Sequence, residues 1–120
     1  MAKLIKAPAV VKAAGNKEKI IKEYIGNINS GTSEVSIALM KSPEGWEEPG
    51  QTPGFNEYTF VLKGEVIVKT ASGELTVREG EAVIAFRGEW VQYSTPMKGG
   101  AEYIAVCVPA FSPATVNRDK

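Results

Sequence analysis

The sequence contains no histidine. That absence removes more chemistry than any residue present supplies. It excludes imidazole metal sites, Ser-His-Asp and Cys-His nucleophilic machinery, and histidine general acid/base catalysis. Cysteine is nearly missing too. Cys107 stands alone, so no disulfide can form within the chain. Charge of either sign is not in excess: 14 Lys and Arg balance 14 Asp and Glu. No global field therefore draws in nucleic acid or anionic lipid. The phosphate-cradling patterns G-x-x-x-x-G-K-[ST] and G-x-G-x-x-G after a strand are missing, as are C-x-x-C and H-E-x-x-H. No basic stripe interleaved with aromatics points to nucleic acid. No apolar run has the length of a membrane helix. Lys6 and Lys12 break the apolar residues of the N-terminus, so a secretory signal is not expected. The expected location is cytoplasmic, and neither nucleic acid nor membrane is expected as a partner.

What is there reads as β structure. A chain of 120 residues fits one domain, which buries roughly two thirds of its unfolded surface. The expected layout is one domain over residues 1–120: an extended arm over 1–16, a core over about 17–108 and an irregular tail over 109–120. Ser33 to Lys41 alternates, with Val35, Ile37 and Leu39 on one face and Glu34, Ser36 and Ala38 on the other. Residues 17–25 fit helix spacing and strand alternation alike, and the β-rich context favours strand. Pro43 to Gly54 reads as a loop. Glu57 to Leu62 is apolar on both faces after its first residue, and Gly64 reads as a turn into Glu65 to Thr70. Glu74 to Arg78, Ala82 to Phe86, Trp90 to Thr95 and Ala101 to Val108 complete a set of roughly eight to ten strands. Ala82 to Phe86 is expected to be buried. The fold class is all-β, a sandwich or barrel.

The stretch Gly45 to Gly64 carries the most specific spacing. Gly45, Gln51, Pro53, Glu57 and Gly64 fall in the frame G-x5-H-x-H-x3-E-x6-G without a gap. Gly80, Phe86, Gly88, Val91 and Thr95 fall in the frame G-x5-P-x-G-x2-H-x3-N. Fifteen residues separate the two. These frames resemble the two motifs of the cupin superfamily. The chain also looks like small single-domain prokaryotic cupins of the conserved-barrel type, with P-G-Q-T-P…E-Y-T at Pro49 to Thr59, G-E-W-V-x-Y-S-T-P at Gly88 to Pro96, and C-x-P-A-F-S-P-x-T-V-x-R-D at Cys107 to Asp119. The resemblance implies a jelly-roll β-barrel and a homodimer, and it assigns no reaction. The doubly apolar strand Tyr58 to Leu62 also needs cover on its outer face, which fits a second copy.

In metal-binding cupins, two histidines and a glutamate of the first motif and a histidine of the second hold the ion. By position these become Gln51, Pro53, Glu57 and Val91. Only Glu57 is a standard ligand, so the resemblance implies a cupin without its metal site and no cofactor is expected. An oxygen-only site for a hard ion is the remaining metal option. Glu57 reads either as a pocket carboxylate or as an inherited position held by Gln51 or a backbone amide. Tyr93 should share the inward face with Val91 and either assists Glu57 or fills the core. Gln51, Glu57, Thr59, Val91, Tyr93, Trp46 and Trp90 are the candidate pocket residues. The tryptophans either stack on a ligand or close a barrel end. Arg87 reads as solvated surface and Cys107 as an inert buried thiol. Two functional readings follow. One is a metal-independent protein that binds a small molecule in its barrel or acts as a dimeric scaffold. The other is a metal-free isomerase or lyase type of enzyme with Glu57 as its acid/base group and Tyr93 assisting.

Overall fold

The computed structural model describes residues 1–120, which form nine strands and no helix. In chain order these are β1 (Ala9–Val11), β2 (Ile20–Ile25), β3 (Ser36–Ser42), β4 (Trp46–Glu47), β5 (Asn56–Thr70), β6 (Gly73–Arg78), β7 (Ala82–Ala85), β8 (Val91–Thr95) and β9 (Ala101–Val108). All pairings are antiparallel. β5 organises the whole. Its first half lies between β7 and β9, and its second half between β6 and β8. One sheet therefore runs β1-β2-β3-β9-β5-β7, and the other β6-β5-β8-β4. A single strand shared by two sheets curls them into one all-β barrel.

Gly64 is where the sheets exchange, and here the expected turn is corrected. The strand continues through Gly64 as one 15-residue element. Its register against β9 slips between Val61 and Lys63, and Gly64 sits at φ +76°. A Cβ there would collide with the carbonyl oxygen of Gly100. A bulge plus a glycine bends the strand sharply enough to leave one sheet and join the other.

Residues Ile20–Ile25 form a strand held between β1 and β3, so tertiary pairing decides the ambiguous local signal. The arm contributes β1 as the edge strand beside it. The facing of β3 differs from what its alternation suggests. Ser36 and Ala38 are buried, whereas Ile37 and Leu39 are only half-buried. The small residues face inward because the barrel keeps a space there, described below. β7 also differs from expectation. Ile84 and the following Phe86 are exposed, and only Ala85 is buried. Within the expected loop, Trp46 and Glu47 pair with Thr95 and Ser94.

The core joins the two sheets through Trp46, Val61, Val66, Val68, Val91 and Tyr103. Each fully buried valine stabilises the fold by about 1.5–3 kcal/mol. A smaller cluster of Phe55, Cys107 and Val116 lies apart, with Phe111 edge-on to Phe55 at 5.8 Å. The tail reaches it by running along the first motif. Thr52 N–H donates to the Asn117 carbonyl, Gly54 N–H to Thr115, and Asp119 N–H to Gly50.

Candidate functional site

Strand register decides what faces the barrel interior. Glu57 lies opposite Cys107 on one side and Ala85 on the other, and Cys107 lies opposite Ser36. The next inward row contains Ala38, Ala105 and Thr59. Alanines in this row leave room that larger side chains would fill. The result is a partly enclosed cavity of about 80 Å³, walled by Ala38, Met40 and Ala105 and reached by Lys19, Glu48, Gln51 and Glu57. An apolar cavity of about 150 Å³ takes benzene, so this one suits a molecule of a few heavy atoms. Its mouth opens between the N-terminal arm at Val11 to Ala14 and the tail at Phe111 and Arg118, where a wider surface groove continues outward.

Glu48 and Gln51 are positioned by the Gly/Pro-rich lead-in. That segment runs beside β8: Glu48 N–H donates to the Tyr93 carbonyl, and Gln51 and Val91 exchange two backbone bonds. Trp46 points inward, Glu47 outward and Glu48 inward, which is strand alternation. Lys19, just before β2, reaches in from the other wall. Its Nζ donates to the Tyr103 hydroxyl at 2.7 Å and lies 3.9 Å from the centroid of the Trp46 ring. Tyr103 also meets Ser42 Oγ at 2.9 Å.

Burial sets the electrostatics. It pushes Glu57 up to about 7, while the Lys19 ammonium and the nearby Tyr93 hydroxyl work against that rise. The Tyr93 hydroxyl faces Glu57 but falls short of hydrogen-bond geometry, so its oxygen has no partner. Burial raises Glu48 to about 7 as well, opposed by Lys19 and Arg118 and reinforced by the Glu57 charge. Both tyrosines are pushed upward by burial and stay neutral, and the Cys107 thiol is raised far out of the thiolate range. Two carboxyls raised by burial toward neutral pH beside one ammonium are suited to exchanging protons with a bound molecule.

The candidate pocket residues separate into three groups. Gln51, Glu57 and Trp46 line the cavity. Thr59, Val91 and Tyr93 are buried around it, in the packed interior, rather than in its lining. Trp90 lies elsewhere: its indole N–H donates to Asp119 Oδ2 at 2.9 Å, tying the tail to the turn before β8. Gln51 makes no bond to Glu57, and its Oε1 is buried without a partner. Arg87 is exposed, with its backbone N–H on Asn56 Oδ1. Sequence reasoning missed Glu48, Lys19 and the tail's Arg118. For Glu48 a signal existed, since alternation counted from Trp46 points it inward.

This architecture recurs in solved proteins. A predicted oxalate decarboxylase from Thermotoga maritima superimposes with a TM-score of 0.73 at 17% identity, over 91% of this chain and 99% of that one. An RmlC-like cupin from Shewanella frigidimarina gives 0.73 at 13% identity, over 94% of each chain. The chain has the cupin fold. A variant oxalate decarboxylase of Bacillus subtilis gives 0.75 at 14% identity, over 98% of this chain and 33% of that one. At these identities the likeness concerns the fold alone. In sequence, a 95-residue stretch is 37% identical to the endoribonuclease YbeY of Myxococcus xanthus. The match takes in 79% of this chain but only 32% of that protein, so the chain spans about a third of its relative. No protein-family model matches the sequence.

The side chains at the four positions named from the motif spacing do not make a donor set for a first-row ion. Val91 is fully buried in the core, and Pro53 is buried with no donor atom. Gln51 and Glu57 remain, one amide oxygen and one carboxylate. Glu48 adds an oxygen, not a nitrogen or sulfur, and no cluster of three His, Cys, Asp or Glu forms. Such a set lacks the donors that hold Zn, Fe, Ni or Cu.

Proposed function

We infer that the chain is a metal-independent cupin that binds a small molecule in its barrel. The observation that carries this is the cavity: it reaches inward to Glu48, Gln51 and Glu57, and Gln51 holds a buried side-chain oxygen that no group of the chain bonds. Buried polar atoms are rarely left unpaired, and alanines rather than large residues wall the space. The endoribonuclease name of the longer relative is not carried over. A space of about 80 Å³ is too small for a nucleotide, and the chain carries no net positive charge to draw RNA in. The test is a screen of small polar molecules by NMR, with the Trp46 indole as reporter, run in parallel on Ala105→Leu, which plugs the cavity. Hits that perturb Trp46 in the native protein and vanish in the plugged variant support the reading. Hits that persist in the plugged variant contradict it.

The same reading places two copies together. Tyr58, Phe60 and Leu62 alternate outward along β5, each about 40% exposed. Tyr58 lies opposite Ile84 and Val106, and Phe60 opposite Ile104. With Phe86 they form a continuous apolar sheet face, of the kind that marks an association surface. A homodimer through this face covers it.

A second reading is a proton-transfer enzyme with Glu57 as acid/base group. The two carboxyls raised to about 7 favour it. Enzyme-dependent exchange of carbon-bound protons of small carbonyl compounds in D2O, lost in Glu57→Gln, would support it; no exchange with any compound that binds the barrel rejects it.

A further inference from the structure

We propose that the cavity selects a compact organic cation, a primary ammonium or amidinium of about three to five heavy atoms, gripped by Glu48 and Glu57 beside the Gln51 side chain. The proposal rests on the reading of the barrel as a binding site and adds the chemical class of its ligand.

Three observations converge on it. The first is Gln51, which lines the cavity and is only 3% exposed, with an Oε1 that receives no donor from the chain. A lost hydrogen bond at a buried acceptor is costly, and a ligand N–H supplies it. The second is that neither interior carboxylate has an ion-pair partner; the chain's ion pair joins Arg78 and Glu65. Glu23, also at the cavity, differs: its carboxylate already accepts the backbone N–H groups of Ile28 and Asn29. The third is the placement of the cations. Lys19 is engaged by Tyr103 and the Trp46 ring. Arg118 is exposed at the mouth above Phe111, and Lys12 is exposed on the arm, so water screens both. Tyr93, Tyr103 and Cys107 are neutral. Of the groups at the cavity, Glu48 and Glu57 are carboxyls that no cation of the chain pairs.

An anion entering this space meets Glu48 and Glu57. A cation meets two carboxyls without an ion-pair partner, and its stem lies against Ala38, Met40 and Ala105. Charge-assisted bonds from N–H to carboxylate are the strong ones available to so small a ligand.

The test is a 1H–15N NMR titration of the full chain with n-propylammonium and methylguanidinium, against propionate, propionamide and Mg2+ as matched probes. The expected result is saturable shifts of the Gln51 side-chain amide and the Trp46 indole with the two organic cations. Affinity falls at least about tenfold in Glu48→Gln/Glu57→Gln and also in Gln51→Leu, each shown to be folded by its amide spectrum. Binding is weaker at pH 5.5 than at pH 8, with proton release on binding. If propionate or propionamide binds and the cations do not, the ligand class is wrong while the barrel site stands. If Mg2+ alone shifts these signals, the site is a hard-metal site and the inference is overturned. If no probe shifts them, both the inference and the binding reading fail.

Discussion

Lys19 holds its ammonium 3.9 Å from the centroid of the Trp46 ring, inside the barrel. The same nitrogen donates to Tyr103, and its charge opposes the rise of both Glu48 and Glu57. One cation therefore ties the core's largest aromatic to the two interior carboxyls.

Replacing it should be felt at both ends. In Lys19→Met the stem is kept and the charge removed. Loss of the ring contact and the Tyr103 bond should destabilise the protein by about 1–3 kcal/mol. The carboxyls, already raised by burial, should titrate higher still. Urea unfolding and 13C titration of the Glu side chains measure the two effects. A lower carboxyl pKa in the variant would show that Lys19 does not act on them.

The raised carboxyls also predict how stability follows pH. Folded values of about 7 lie above the ordinary 4.5, so between these values the folded chain binds more protons than the unfolded one. Stability from these groups is full below pH 4.5 and is lost as pH rises through 7. The loss is on the order of 3 kcal/mol per carboxyl as an upper figure. The native protein should weaken from pH 5 to pH 8 relative to Glu48→Gln/Glu57→Gln, measured as urea midpoints. Equal slopes in the two proteins would remove the account of the carboxyls.

The outer sheet face gives a prediction about association. Phe60→Lys places a charge at its centre, where Phe60 is 44% exposed in one copy. The native chain should sediment as a dimer at micromolar concentration and the variant as a folded monomer. A monomeric native protein leaves the apolar face without the proposed cover.

Gly64 should tolerate no side chain. It combines φ +76° with close approach to the Gly100 carbonyl, so Gly64→Ala must both strain the backbone and push strands apart. The expected cost is about 2–4 kcal/mol. A change under about 0.5 kcal/mol in chemical denaturation would show that the strand bends by other means.

Much of the fold was legible because turns and alternation are local signals. The two glycine frames located the barrel, and β-rich context resolved Ile20–Ile25. Facing was harder. Ile37 and Leu39 looked like core by hydropathy, yet a hollow barrel with an apolar outer surface reverses that preference. Ile84 and Phe86 are exposed for the same reason. Gln51, Glu57 and Trp46 could be named from the motif, because register fixes them. Lys19 and Arg118 could not, since they come from beside β2 and from the tail, and no spacing in sequence connects them to Glu57.

The proposal that this barrel works without a transition metal is tested most directly by metal quantification. The purified chain is equilibrated with Zn, Mn, Fe, Ni or Cu and desalted, alongside Glu57→Ala. The donor set of Gln51 and Glu57, with Pro53 and Val91 beside them, predicts well below one ion per chain and no difference between the proteins. One tightly held ion per native chain, lost in Glu57→Ala, would contradict the account.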